Sequence, residues 1–312
     1  MHSPNEPAER LAAASTVATE PESSSGTRDK RPWYRQDSTV RTLLADPWTI
    51  LGAVIVVGFI AIAILAPWLA PSDPTRGSVA LRLKPPSTEY WFGTDGLGRD
   101  LLSRLLYGAR LSALIGTLSV VVSGGIGIFL GAIAGYAGGW ADTIVGRTVD
   151  TLLAFPGILL AILILAILGP GINSVILAVG IFGVPTYARV VRATVMSVKQ
   201  LDFVEAAGAL GARHGVILMR HVMRNSWAPI IVLTSLNFGT AVLTASALSF
   251  LGVGVQPPSP EWGAIIAEGR QYIRVAPHIT TITGLFIFVT VLGFNLLGDG
   301  LRDALDPRTQ SK

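Results

Sequence analysis

The chain alternates long apolar runs with short polar connections. Six runs stand out: Trp48–Leu69, Leu111–Ala137, Val149–Leu168, Ser174–Ala188, Ala228–Gly252 and Ile279–Leu297, the fourth being the shortest. A helix rises about 1.5 Å per residue, so about 20 apolar residues cross the roughly 30 Å hydrocarbon layer of a bilayer. The pattern predicts an all-α integral membrane protein with six transmembrane helices. Asp, Glu, Lys and Arg are missing from these runs away from their ends. Proton and ion relays carry such residues at mid-depth, which counts against an ion-driven transporter or channel of six helices and against an intramembrane enzyme.

Small residues and prolines refine the picture. Gly127, Gly131 and Gly135 stand at GxxxGxxxG spacing in the second run and offer a flat face for close helix packing. Pro156 and Pro185 remove backbone donors in the third and fourth runs, and each either kinks a helix or marks its end. On the fifth run Asn237, Thr240 and Thr244 form a polar stripe at i, i+3 and i+7. That stripe either faces a translocation path or bonds to a neighbouring helix, an interaction of about 0.6 kcal/mol on average.

Composition agrees with a bilayer setting: of 312 residues 50% are hydrophobic and only 14% charged, with mean hydropathy +0.55. Residues 1–47, rich in Ser, Glu, Pro and Arg, hold no apolar core of a signal peptide and read as a disordered cytoplasmic tail. Residues 48–110 would carry the first transmembrane helix and an extracytoplasmic segment, 111–300 the transmembrane core and 301–312 a cytoplasmic C-terminal tail. With the N-terminus inside, sixteen of the 24 basic residues fall on the cytoplasmic side and eight outside, the expected bias. Both termini and the connection at 189–224 are then cytoplasmic. The net charge of +4 resides in the connections, which suits lipid headgroups and not nucleic acid.

Chemical motifs are few. There is no Cys, and His2, His214, His221 and His278 are scattered, so no metal site is expected. No GxxxxGK[ST], HExxH or GxSxG occurs, and the chain is not expected to hydrolyse ATP itself. "LLGDG" at Leu296–Gly300 approaches the GxGD of intramembrane aspartyl proteases, but Leu296 replaces the first Gly and Asp299 follows the last apolar turn. Asp150 and Asp299 read as helix-end residues.

The cytoplasmic connection "DFVEAAGALGARHGVILMRH", Asp202 to His221, is more structured than a loop. Asp202 and Glu205 have capping-box spacing at the positive end of a helix. Phe203, Ala206, Ala207 and Leu210 fall at i, i+3, i+4 and i+7, an apolar face with a small middle. Gly211 permits a turn, and Arg213, Arg220 and Arg224 follow as a basic stripe. A positive-inside loop on the membrane surface would account for the arginines but not for an apolar face ahead of a Gly hinge. The reading is helix, hinge, helix.

"EAAGALG" followed by "RHVMRNSWAPII" resembles the EAA loop of membrane subunits of ATP-binding-cassette (ABC) importers. The resemblance implies coupling helices that dock on a separate ATPase, with roles for Glu205, Ala206, Ala207 and Gly211, flanked here by Asp202, Phe203 and Leu210. Relatives commonly carry Pro where Arg224 stands, which bears on how the second short helix ends. Three further stretches, "WFGTDGLGRDLLSRLLYGAR" (Trp91–Arg110), "PPSPEWGAIIAEGR" (Pro257–Arg270) and "GDGLRDALDPR" (Gly298–Arg308), resemble the C-type permease of dipeptide, oligopeptide and nickel importers. The likeness runs from about Trp48 to Arg308.

The resemblance implies a type I ABC importer permease fold in the cytoplasmic membrane. It implies pairing with a second, homologous permease subunit as a heterodimer, two cytoplasmic ABC ATPase subunits or domains and an extracytoplasmic substrate-binding protein, with peptides as cargo. No cofactor is expected on this chain, ATP and Mg belonging to the ATPases. Gly93, Gly96 and Gly98 make an external turn-rich segment. Tyr90, Trp91, Asp95 and Arg99, with Glu261 and Trp262, are the candidates for binding-protein docking, the aromatics serving equally as an interfacial belt.

Overall fold

The computed structural model describes Leu43 and residues 46–305, all within one compact unit. Most of the expected N-terminal tail, and residues 306–312, lie outside the described residues. Among the described residues the secondary structure is helical, apart from the isolated bridges Gly77–Arg99 and Thr94–Asp100.

Helix α1, Pro47–Leu69, starts where the Asp46 carboxylate accepts the Thr49 and Trp48 N–H groups at 2.8 and 3.4 Å, with Pro47 in the first turn. An irregular external segment follows. Helix α2, Leu101–Ala137, begins ten residues before the apolar run because Asp100 caps it through the Ser103 N–H, 2.8 Å. It runs through residue 110, the limit drawn between the first segment and the transmembrane core. At about 1.5 Å per residue its 37 residues exceed the hydrocarbon thickness, and its ends project beyond it.

The third run is not one straight span. Helices α3, Gly139–Ala154, and α4, Gly157–Leu168, meet at an angle of 92°. Pro156 lacks an N–H and bars Phe155 from helical geometry, so here the proline marks a helix end. Pro185, by contrast, stays inside α5, Ile172–Lys199. Beyond its apolar stretch this helix carries Arg192, paired with Asp142, and Arg189, paired with Asp150 at 3.4 Å. Asp150, read as a helix-end residue, lies about one turn before the C-terminal Ala154 of α3 and is also the partner of Arg189.

Helix α6, Asp202–Ala209, is short. Helix α7, His214–Phe250, starts with one α turn, widens to π geometry over Ile217–Val222 and continues as regular α-helix from Met223. The expected second short helix is thus the first part of a spanning helix, and Arg224 lies inside it. Helix α8, Trp262–Gly269, is external to the spans, and α9, His278–Leu305, runs on past Asp299, which is exposed inside the helix and not at its end.

The α2–α5 contact confirms the glycine face. A Cβ on Gly131 would stand 2.5 Å from the Ala188 carbonyl oxygen and 2.9 Å from Val191 Cβ, and one on Gly127 would stand 2.4 Å from Tyr187 Cβ. No larger residue allows this approach. Phe59, Phe238, Phe294 and Trp262 tie α1, α7, α8 and α9 together, Phe238 stacking on Phe294 with centroids 4.0 Å apart. Among the described residues five helices, α1, α2, α5, α7 and α9, are long and apolar enough to cross a membrane, and the bent α3–α4 pair makes six when counted as one span. Their outward faces, such as Val54, Val57 and Ile64 of α1, are exposed apolar surface that hydrocarbon would cover.

Candidate functional site

Three sites follow from this frame. The first is the 202–224 connection. Leu201, not Asp202, is the N-cap of α6 and no side chain caps it, so the capping box is not formed. Asp202 and Glu205 remain in the first turn, near the positive helix end. Val204 is the buried anchor, packing with Val198, Ile217 and Val222. Phe203, Ala206 and Leu210 point away from the molecule, Leu210 with 89% of its surface exposed, and Ala207 is half-buried at the edge of the anchor. The apolar face is therefore uncovered.

The turn after α6 closes by two backbone bonds, Gly211 N–H to Gly208 O at 2.9 Å and Ala212 N–H to Ala207 O at 3.1 Å. This pair is a Schellman motif, and it needs a left-handed residue at Gly211, whose φ is +80°. The unit is tied to the membrane helices by groups the sequence reading did not single out. Tyr136 Oη lies 3.1 Å from His214 Nδ1, and Lys199 Nζ donates to the Tyr136 carbonyl at 2.7 Å while sitting over its ring. Val204 hides between Phe203 and Glu205, and the Tyr136–His214 contact spans 78 residues, so no local pattern points to it.

The second site is a cleft of about 80 Å³ between α2, α5 and α7. Asn237, Thr240 and Thr244 line it together with Ser119, Ser123 and Thr186. Asn237 Nδ2 and Thr240 Oγ1 donate to carbonyls of their own helix, Leu233 at 2.9 Å and Leu236 at 3.2 Å, so neither forms the interhelical bond considered from sequence. That bond is made instead by Tyr187 Oη to Thr234 Oγ1, 3.2 Å.

The third site is external, and here the docking candidates separate. Asp95, Arg99, Glu261 and Trp262 are buried and cannot meet a docking protein directly. Arg99 Nε and Arg104 Nη1 reach Asp95 Oδ2 at 2.6 and 2.5 Å, and both arginines also reach Glu268 Oε2 at 2.6 and 2.7 Å. Burial works against the Asp95 carboxylate, yet Arg104, Arg99 and the Arg99 and Leu97 N–H groups hold its pKa below the usual value. Glu261 caps α8 through the Ala264 N–H, 2.9 Å, and accepts from Ser246 Oγ, 3.1 Å. Its burial pushes its pKa up against these bonds. Trp262 Nε1 donates to the Leu105 carbonyl at 3.0 Å. These residues fasten α8 to α2 and α7, with Arg104 and Glu268 as members the sequence reading missed. Trp91, 70% exposed, and half-buried Tyr90 keep access to a partner.

A close-packed helical frame, a polar cleft among spanning helices and a short helix with an uncovered apolar face are consistent with a permease half of the ABC importer type. The comparisons with known proteins agree. Residues 127–311 match the model of the binding-protein-dependent transport system inner membrane component, and residues 34–86 match the N-terminal TM domain of oligopeptide transport permease C. The chain is 46% identical over 280 residues to the dipeptide transport system permease protein DppC of Alkalihalophilus pseudofirmus, covering 90% of this chain and 91% of that one. It is 48% identical over 280 residues to the glutathione transport system permease protein GsiD of Escherichia coli O157:H7, covering 89% and 91%. A chain of the MetNI methionine ABC transporter in inward-facing form superposes with a TM-score of 0.56 at 18% identity, over 66% of this chain and 98% of that one, a likeness of fold alone. The chain belongs to the family of binding-protein-dependent transport system inner membrane components, as a C-type permease subunit of an ABC importer.

Proposed function

We propose that this chain forms one half of the pathway through which an ABC importer moves small peptides, delivered by an extracytoplasmic binding protein and driven by ATPase subunits in the cytoplasm. It pairs with a second, homologous permease. Both of its termini are cytoplasmic and it resides in the cytoplasmic membrane, as the sixteen-to-eight division of basic residues supports. ATP and Mg are held by the ATPases and not by this chain.

The observation that carries the reading is the uncovered face Phe203, Ala206 and Leu210, held on a helix whose far end is fixed by the Gly211 turn. ATPase closure moves this element, and the helices continuous with its ends, α5 and α7, transmit the motion to the cleft at Asn237, Thr240 and Thr244. The relatives named for dipeptide and glutathione transport support small peptides as cargo. The test is uptake by cells with and without this chain of labelled dipeptide, longer peptide, glutathione and nickel. Uptake of a peptide that depends on the chain is expected; dependence of nickel alone overturns the cargo, and failure of the ATPases to co-purify overturns the whole reading.

A further inference from the structure

The stretch Trp91–Arg110 ends on a residue that neither the coupling element nor the external ion-pair network uses. Arg110 is exposed, and its guanidinium has no hydrogen bond or ion pair among the described residues. It stands at the mouth of a groove of about 1080 Å³ between α1 and α2, at the end closed by the Pro258–Pro260 loop. Away from that mouth the wall is apolar, with Leu111, Leu114 and Leu118 on α2 facing Ala63 and Ile64 on α1. Trp68 and Tyr107 also line the groove, ring systems of the kind found at headgroup level.

We infer that this groove binds an anionic phospholipid, with its phosphate on Arg110 and its acyl chains along the α1–α2 wall. Length selects a lipid: Tyr107 to Leu118 spans about 16 Å of helix, close to the roughly 15 Å of one leaflet. Charge selects an anionic one. Among the described residues Arg110 is the one charged side chain lining the groove, and no carboxylate lines it to meet the ammonium of a zwitterionic headgroup. Asp73, in the same loop as Pro74 and Thr75, is engaged by the Thr75 N–H at 2.8 Å and by Arg76 at 3.6 Å. The inference rests on the membrane setting and is independent of the cargo.

The experiment uses the purified importer containing this chain, its partner permease and the ATPases, in nanodiscs carrying a phosphatidylglycerol probe with a photoreactive acyl chain. Crosslinks are expected on Ala63–Trp68 and Tyr107–Leu118, displaced by unlabelled phosphatidylglycerol and weakly by phosphatidylcholine. Arg110→Gln is expected to lower labelling about fivefold, the weight of one surface cation, while Arg110→Lys retains it. Leu114→Trp, which fills the groove, should lower labelling whatever the headgroup. Equal displacement by phosphatidylcholine, or unchanged labelling in Arg110→Gln, overturns the proposal. So does an unlabelled groove in which a cysteine at position 114 crosslinks to the partner permease. If Arg110→Gln does not assemble, the displacement series on the unmodified importer decides alone.

Discussion

Gly211 is the residue on which the geometry of the coupling element turns. Its φ of +80° and the two bonds that follow from it leave no room for a β-branched side chain's preferred backbone. Gly211→Val should cost about 1–2 kcal/mol locally and lower substrate-stimulated ATPase activity and uptake in the reconstituted importer, with membrane insertion intact. Asp95 is its counterpart at the opposite end of the spans. Removing it leaves Arg104, which has 0% of its surface exposed, with Glu268 as its one carboxylate partner among the described residues. Asp95→Asn should lower stability at neutral pH by about 3–5 kcal/mol, the cost of breaking a buried pair. The sign with pH is fixed by its lowered pKa: the stabilisation is present above the ordinary value of 3.8 and is lost as pH falls through the folded-state value. Thermal midpoints of parent and variant should therefore converge in acid.

Among the elements, α6 and α7 carry the two faces to which the proposed function assigns ATPase docking and the translocation path. Ala207 sits where the α6 anchor meets its outer face, half-buried beside Val204. Ala207→Trp adds bulk at that edge and should abolish coupling of ATP hydrolysis to uptake, whereas Arg213→Gln, an exposed position beyond the hinge, should leave most of it. Comparable activity in both variants would count against a docking role for α6. On α7, Thr240 is exposed to the cleft and bonded to its own helix. Thr240→Trp should block uptake of labelled peptide while the subunits still co-purify, because nothing across the cleft depends on its hydroxyl. Loss of the complex instead would place the stripe at a helix contact.

For the molecule as a whole, orientation is the property that the helices leave open and the charges decide. Cysteines introduced at Ser259, in the loop before α8, and at Ser38, ahead of α1, should react with a membrane-impermeant reagent from outside and only after permeabilisation, respectively. The reverse pattern would invert the six-span arrangement and place α6 on the wrong side for an ATPase. The bent α3–α4 pair does not disturb this count when it crosses as one span.

Periodicity and apolar length determined much of this by themselves. They located five of the spans, the glycine face on α2, the polar stripe on α7 and the left-handed turn at Gly211, because each is a local property of spacing or backbone freedom. The third span and the helix limits were different. Where α2 begins depends on Asp100, where α5 ends depends on Arg192 finding Asp142, and the elbow at Pro156 is one of two outcomes that a proline permits. The same holds for the external residues. Asp95 and Arg99 in the Gly-rich segment, and Glu261 and Trp262 in the stretch 257–270, look like a docking surface, since charge and aromaticity there suggest exposure. Only tertiary structure brings Arg104 and Glu268 within 2.7 Å of each other across 164 residues and turns that surface into an interior. Burial of a charge depends on distant partners, and no window along the chain contains them.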